Sequence, residues 1–210
     1  MTSAQDDFGV ITDTIVNGGG GVNVYNYRIF GSYDRTNLNT YFNYPEVQAK
    51  YCTRGTRFGD RTWSKSSGMV YNNMSRYDFM DTVAQNVSNV LNSGSLPMMF
   101  YNGQDDIICN SPSTQTWMSK LSWVGQDGFY NANSQPWILN NGTHAGFYKN
   151  YGPLTYVTVN KAGHMAPGDQ IEATTEMLRR FMAGSKNWTA PFYGDAKFDE
   201  TNFLVKTDMN

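Results

Sequence analysis

Two short stretches carry the residues best suited to chemistry. In "MMFYNGQDDIICN", Met98 to Asn110, two acids, Asp105 and Asp106, stand close to Cys109; in "NKAGHMAPGDQ" stands His164, one of only two histidines. A carboxylate can hold one ring nitrogen of an imidazole, so that the other nitrogen takes a proton from a hydroxyl and returns it to a leaving group. Each stretch follows an apolar run, "LPMMFY" or "LTYVTVN", of the length and composition of a strand. In open α/β sheets, functional groups gather on the loops that leave the carboxyl ends of strands. An acid after one strand and a histidine after a later one meet there if the strands are neighbours. The order Asp then His is that of the second and third members of the α/β-hydrolase relay. A histidine beside Gly and Met can also serve structure alone.

The elements that must position these loops read as an α/β pattern. Apolar residues at steps of three and four from Arg76 to Leu91 predict a helix, with Gly94 just past its end as a stop. "LPMMFY" follows, continuously apolar as expected of a strand buried on both faces. "STQTWMSKLSW" predicts a helix with Trp117, Met118 and Leu121 on one side, and short extended pieces are expected near Trp137 and Phe147. Leu154 to Asn160 reads as a second buried strand, and "GDQIEATTEMLRRFM" as a closing helix with Ile171, Met177, Leu178 and Phe181 on its apolar face. Earlier, Pro45 marks the start of a short helix ending near Tyr51, and "VNGGGG", Val16 to Gly21, reads as a hinge or loop before the strand-like "VNVYNYRIF". A phosphate cradle needs a strand before its glycines and a helix after them, and here a strand follows.

The bulk composition removes several classes of partner. The chain has 210 residues, 16% charged and 15% aromatic, with 16 basic against 18 acidic side chains and a net charge of -2. No global field favours nucleic acid or an anionic membrane. No apolar run approaches the roughly 18 residues of a membrane span, and the first residues lack the basic start and apolar block of a signal peptide. The two cysteines, Cys52 and Cys109, form no disulfide framework and no zinc motif; one bridge or two free thiols remain open. The histidines and scattered acids suggest neither metal nor organic cofactor. Asn-x-Ser/Thr triplets at Asn73, Asn86, Asn141 and Asn187 suit glycosylation, although a chain this rich in Asn also makes them by chance.

Together "YNGQDDIICN" and "AGHMAPGDQ" resemble the aspartate and histidine motifs of the serine carboxypeptidases, Y-x-G-D-x-D-x-I-C-N and G-G-H-M-V-P-x-D-Q-P. "NVYNYR", "YFNYPEVQAKY" and "DRTWSKSSGMVYNN" resemble segments that precede the aspartate motif in that family, so the likeness runs from about Val22 to Met182. It implies an α/β-hydrolase fold, of which this chain would hold the C-terminal portion of the sheet with flanking helices and part of the cap region. The implied organisation is an N-terminal segment with its Gly-rich loop over 1–21, the hydrolase portion over 22–184, and a tail over 185–210. Position by position, the resemblance makes Asp106 and His164 the catalytic acid and base. It makes Cys109 and Met165 residues that line the substrate pocket. Cys109 could equally be a small core residue, Asp105 reads as a solvated loop acid, Asn110 as a backbone-bonding residue, and His144 as a loop residue. Gln104 stands where the family commonly has its first aspartate.

The family's nucleophilic serine lies in G-E-S-Y-A-G, a form of the G-x-S-x-G elbow, and no such pattern occurs here. The usual disulfide cysteines are also largely absent, with Ser64, Lys65 and Ser66 following the tryptophan at Trp63. The resemblance therefore implies the second half of a serine-type carboxypeptidase, acting on peptides with an N-terminal half as its partner and inactive alone. Two alternatives stand beside it: an inactive carboxypeptidase-like binding or structural protein, and a related acyltransferase. The family implies a lysosomal, vacuolar or secreted location.

Overall fold

The computed structural model describes residues 2–34, 36–51, 62–77 and 81–193. They divide into two compact units, one from Ser32 to Thr82 and one combining Thr2–Gly31 with the chain from Val83 onward.

The larger unit opens with helix α1 (Thr2–Gly18), then strands β1 (Val22–Asn23) and β2 (Asn26–Phe30), which pair as an antiparallel hairpin. The expected loop at Val16–Gly21 is shorter than the glycines suggest. Gly19 and Gly21 donate to the carbonyls of Ile15 and Val16 at 2.9 and 2.8 Å, which carries the helix through Gly18 before the turn.

The smaller unit holds α2 (Thr36–Phe42), α3 (Pro45–Lys50) and α4 (Gly68–Tyr77). Pro45 opens α3 and Tyr51 closes it, as the sequence predicts. Phe42 stacks on Trp63 with ring centroids 5.2 Å apart. Asn43 bonds both backbone groups of Trp63, accepting from its N–H at 2.8 Å and donating to its carbonyl at 3.1 Å.

The single helix expected from Arg76 to Leu91 is two. Helix α4 ends at Tyr77, Asp81–Val83 are irregular, and α5 (Ala84–Ser93) begins only at Ala84, so Val83 is exposed while Val87 and Leu91 turn inward. Phe79 and Met80 of the expected apolar stripe lie outside the described residues. Gly94, at φ 64°, ends α5 in the left-handed region as expected.

From there the larger unit runs through β3 (Met98–Gly103), α6 (Ser111–Ser119), α7 (Gln126–Asn131), β4 (Gln135–Ile138), β5 (His144–Tyr151), β6 (Leu154–Val159), α8 (Ala166–Asp169) and α9 (Ile171–Met182). The sheet order is β3-β6-β5-β4, with β3 and β6 parallel and the other pairs antiparallel. β6 is buried nearly throughout, as its sequence predicts. Its alternate residues feed two cores: Val157 and Val159 pack with Trp137, Met177 and Trp188, whereas Leu154 and Tyr156 pack with Leu91, Met118 and Leu121.

β3 departs from expectation. Met98, Met99 and Phe100 are half-buried and Tyr101 is exposed, because among the described residues β3 has a strand on one side only. Helix α6 starts earlier and ends earlier than its apolar pattern suggests. Its N-cap is Asn110, whose side chain accepts from the N–H of Ser113 at 2.9 Å, and Leu121 packs in the core from beyond its end.

The closing helix also differs. It breaks at Gln170 into α8 and α9; Met177 is buried as expected, but Ile171 and Leu178 of the expected apolar face are exposed, and Ala173, Thr174 and Arg180 are buried. Arg180 is tolerated there because it pairs with Glu176 and donates to the carbonyls of Ile138 and Ala190 at 2.8 and 3.1 Å. The Ala190 bond belongs to a tail that the sequence leaves without pattern. Trp188 fixes that tail, fully buried between Trp137 and Tyr148. No helix among the described residues is long and apolar enough to cross a membrane.

Candidate active site

Parallel strands β3 and β6 pair from Met98 opposite Leu154 to Gly103 opposite Val159, so the two loops of interest leave the sheet side by side. They stay in contact beyond it: Gln104 donates to the carbonyl of Val159 and Asp105 to that of Ala162, both at 2.8 Å. A Cβ on Gly103 would stand 2.1 Å from the carbonyl oxygen of Gly163, so only glycine permits this crossing.

The crossing brings Asp106 to His164. Asp106 Oδ2 lies 2.9 Å from His164 Nδ1. The other carboxylate oxygen, Oδ1, accepts from the N–H groups of Ile108 and Cys109 at 3.0 and 3.1 Å, which fixes the plane of the acid. The carboxylate is 3% exposed and the imidazole 37%. A buried, oriented acid thus holds a ring that is open to solvent, which is the geometry a proton-moving histidine needs.

The β1–β2 hairpin braces both loops. The Tyr25 carbonyl accepts from the N–H of His164 at 2.7 Å, and the Tyr25 ring lies 5.2 Å from the imidazole. The Val24 carbonyl accepts from Ile107 and Ile108 at 3.1 and 3.2 Å, and the Tyr27 N–H donates to the carbonyl of Asp105 at 3.1 Å. Asp105 is no solvated loop acid: it is fully buried, and its Oδ2 receives the Nε of Arg28. Its Oδ1 is buried, with no hydrogen-bond partner among the described residues. The carboxylate raises the pKa of the Tyr27 hydroxyl and of the Arg28 guanidinium beside it. Asn26 donates to Asp169 at 3.0 Å, and Asp169 accepts from the N–H of Gly163 at 2.8 Å, so Asn26, Arg28 and Asp169 belong to the site, although the sequence offers only "NVYNYR" as a strand and "PGDQ" as a helix start.

Cys109 follows the acid as the motif places it. Its thiol is free and exposed, which rules out the core reading, while partial burial and the Asp106 charge push its pKa up. Cys52 lies outside the described residues. Met165 is half-buried beside His164 at the start of α8. The sequence suggests no metal cluster, but the fold draws ligand atoms of Asp106, Cys109 and His164 within 4.8 Å of one another. Two of those residues, Asp106 and His164, are already joined by a hydrogen bond.

Behind the acid loop, Asn102 donates to the carbonyl of Cys109 at 2.7 Å and accepts from the Tyr156 hydroxyl at 2.9 Å, and that hydroxyl lies 2.6 Å from Ser111 Oγ. Asn110 bonds backbone on both sides, donating to Ile107 at 3.2 Å besides capping α6. His144 lies apart from the pair, exposed at the start of β5 with its ring against Phe147. Asn73 and Asn86 fall within α4 and α5, whereas Asn141 and Asn187 are exposed outside helices and strands. A surface depression lined by Asn140, Glu172, Glu176 and Arg179 shares no residue with the acid–imidazole pair.

Residues 25–184 match the family model described as serine carboxypeptidase. The chain is 45% identical over 107 residues to carboxypeptidase Y of Komagataella phaffii, covering 51% of this chain and 20% of that protein. It is 33% identical over 178 residues to serine carboxypeptidase-like 47 of Arabidopsis thaliana, covering 83% and 34%. It is also 33% identical over 189 residues to a pheromone-processing carboxypeptidase of Phytophthora infestans, covering 86% and 31%. The chain thus spans about a third or less of the length of these relatives. A crystal structure of a prohormone-processing carboxypeptidase from Saccharomyces cerevisiae superposes with a TM-score of 0.57 at 24% identity, over 73% of this chain and 35% of that one, which shows the shared α/β-hydrolase fold. With the acid and histidine motifs meeting in space and the family model matching most of its length, the chain belongs to the serine carboxypeptidases.

Proposed function

We propose that this chain supplies the acid and base of a Ser-Asp-His triad in a serine-type carboxypeptidase, a hydrolase that removes C-terminal residues from peptides. The observation that carries the reading is the 2.9 Å contact between Asp106 Oδ2 and His164 Nδ1, with the acid buried and the ring open. In this reading Asp106 holds the imidazole in one tautomer and stabilises the imidazolium, and His164 takes the proton of a serine hydroxyl and delivers it to the leaving amine. Cys109 and Met165, which flank the pair in sequence, line the pocket for the peptide. The serine belongs to an N-terminal half of the same protein, joined or separate, and the chain alone is inactive. Two observations support that part: the short span of the relatives that is covered and an edge of β3 that no strand among the described residues pairs. A secretory location, in lysosome, vacuole or medium, accords with the exposed sequons Asn141 and Asn187.

The test is labelling of the native protein with a fluorophosphonate, followed by intact-mass analysis and N-terminal sequencing under denaturing, non-reducing conditions. A label on a companion segment, with Asp106→Asn lowering peptidase turnover by about 10⁴-fold, bears the reading out. A chain isolated alone, folded and unlabelled, overturns it in favour of an inactive binding protein.

A further inference from the structure

The base of the pair is held by something the relay itself does not include. Asp169, at the end of α8, turns back on its own loop: its Oδ2 accepts from the N–H of Gly163 at 2.8 Å, immediately before His164 in the chain. The same oxygen accepts from Asn26 Nδ2 at 3.0 Å. Asn26 is 5% exposed, and its own Oδ1 accepts from the N–H of Arg28 at 3.0 Å, so its amide cannot be flipped without losing that bond.

Gly163 leaves no slack at this point. A Cβ there would lie 2.1 Å from the carbonyl oxygen of Tyr25, the oxygen that also receives the His164 N–H. The histidine backbone is therefore clamped between a carboxylate on one side and the hairpin on the other. Across the hairpin, Arg28 bonds Asp105, the residue next to Asp106. One short ribbon thus fixes the acid and the base to a common frame.

We propose that Asp169 and Asn26 form a latch that positions His164 against Asp106, and that both are positioning residues for the proton transfer. The proposal rests on the reading of Asp106 and His164 as an acid–base pair, but its readout needs no serine. Because one carboxylate oxygen of Asp169 accepts from both donors, Asp169→Asn can keep both bonds through its amide oxygen, whereas Asp169→Ala removes both. Asn26→Ala removes the bond across to Asp169 and the acceptor of the Arg28 N–H, and leaves the Gly163 bond in place.

The measurement is proton NMR of the chain, following the downfield Nδ1–H resonance that His164 shares with Asp106; His144, the second histidine, serves as the internal reference. Asp169→Ala is expected to speed exchange of that proton with water by about tenfold, near the upper end of what one net hydrogen bond restrains, and Asp169→Asn to stay near the wild-type rate. An unaltered resonance in a folded Asp169→Ala variant overturns the latch, as does an Asp169→Asn variant that exchanges as fast as the alanine. If Asp169→Ala fails to fold, Asn26→Ala decides: folded with faster exchange it supports the latch, folded at the wild-type rate the latch falls. The expected response in a native protein of which no companion segment takes up the fluorophosphonate keeps the latch and loses the hydrolase.

Discussion

At the scale of single residues, the charge on Asp106 reaches beyond the histidine. The Cys109 thiol sits at the same loop, its pKa raised first by partial burial and then by the carboxylate. Thiolate is the form that alkylates, so reaction with iodoacetamide is expected to rise only at a higher pH than for an unhindered cysteine. Asp106→Asn removes the repulsive charge but not the burial; the midpoint of the rate against pH should move down and still lie above that of a free thiol. A midpoint that moves up would separate Cys109 from the acid. The apolar runs and the shared edge of parallel strand ends make an acid near His164 legible in the sequence, and the resemblance to the aspartate motif picks Asp106. The burial of Asp105 is not legible, since its partner Arg28 lies 77 residues away and nothing in "QDD" tells which acid turns inward. Asn26 and Asp169, 143 residues apart, are hidden for the same reason.

At the scale of elements, the departures cluster where a tertiary partner outweighs local pattern. Helix α9 is read from its apolar residues, yet Ile171 and Leu178 are exposed and Arg180 is fully buried. Met177 turns inward as expected, and what brings Arg180 in beside it is a set of acceptors that no helical period reveals: Glu176 one turn away, and the carbonyls of Ile138 and Ala190. Substituting Arg180 by Leu leaves Glu176 without its partner and strands both carbonyls, so urea unfolding should show a loss of about 3–5 kcal/mol. The double change Arg180→Leu with Glu176→Leu should cost clearly less, because the uncompensated acid goes with it. An equal loss in both would assign the effect to packing against Trp188 and Phe192, over whose rings the guanidinium lies at 6.0 and 5.5 Å. The α4–α5 interruption has a plainer cause. A stripe at steps of three and four marks a helical face but not its continuity, and Val83, inside the stripe, is exposed just before α5 starts.

At the scale of the whole molecule, the surface sorts what the motifs alone leave equal. Four sequons are present, and a glycan needs a surface loop. Asn141 and Asn187 meet that need: each carries an amide oxygen that accepts from the N–H of the threonine two residues on, at 2.9 Å, and at Asn187 from the Thr189 hydroxyl as well, at 2.7 Å. Asn73 and Asn86 are wound into helices, and Ser88, which completes the second triplet, is buried. Peptide mapping of protein made in a eukaryotic secretory host, with and without endoglycosidase, should find glycan at Asn141 and Asn187 and none at Asn73 or Asn86.

The pairing of β3 with β6 has a consequence of another kind, for how the chain reaches its native state. Asp106 and His164 lie 58 residues apart and meet only because Gly103 stands opposite Val159. A slip of one residue between these strands would carry the acid about 3.3 Å along the sheet and turn every side chain of the slipped strand to the other face. The mutual approach of acid and imidazole is therefore expected late in folding, after closure of a long intervening loop, and it tells correctly aligned molecules from misaligned ones. Correct alignment of the two strands and assembly of the acid–imidazole pair are thus one and the same event.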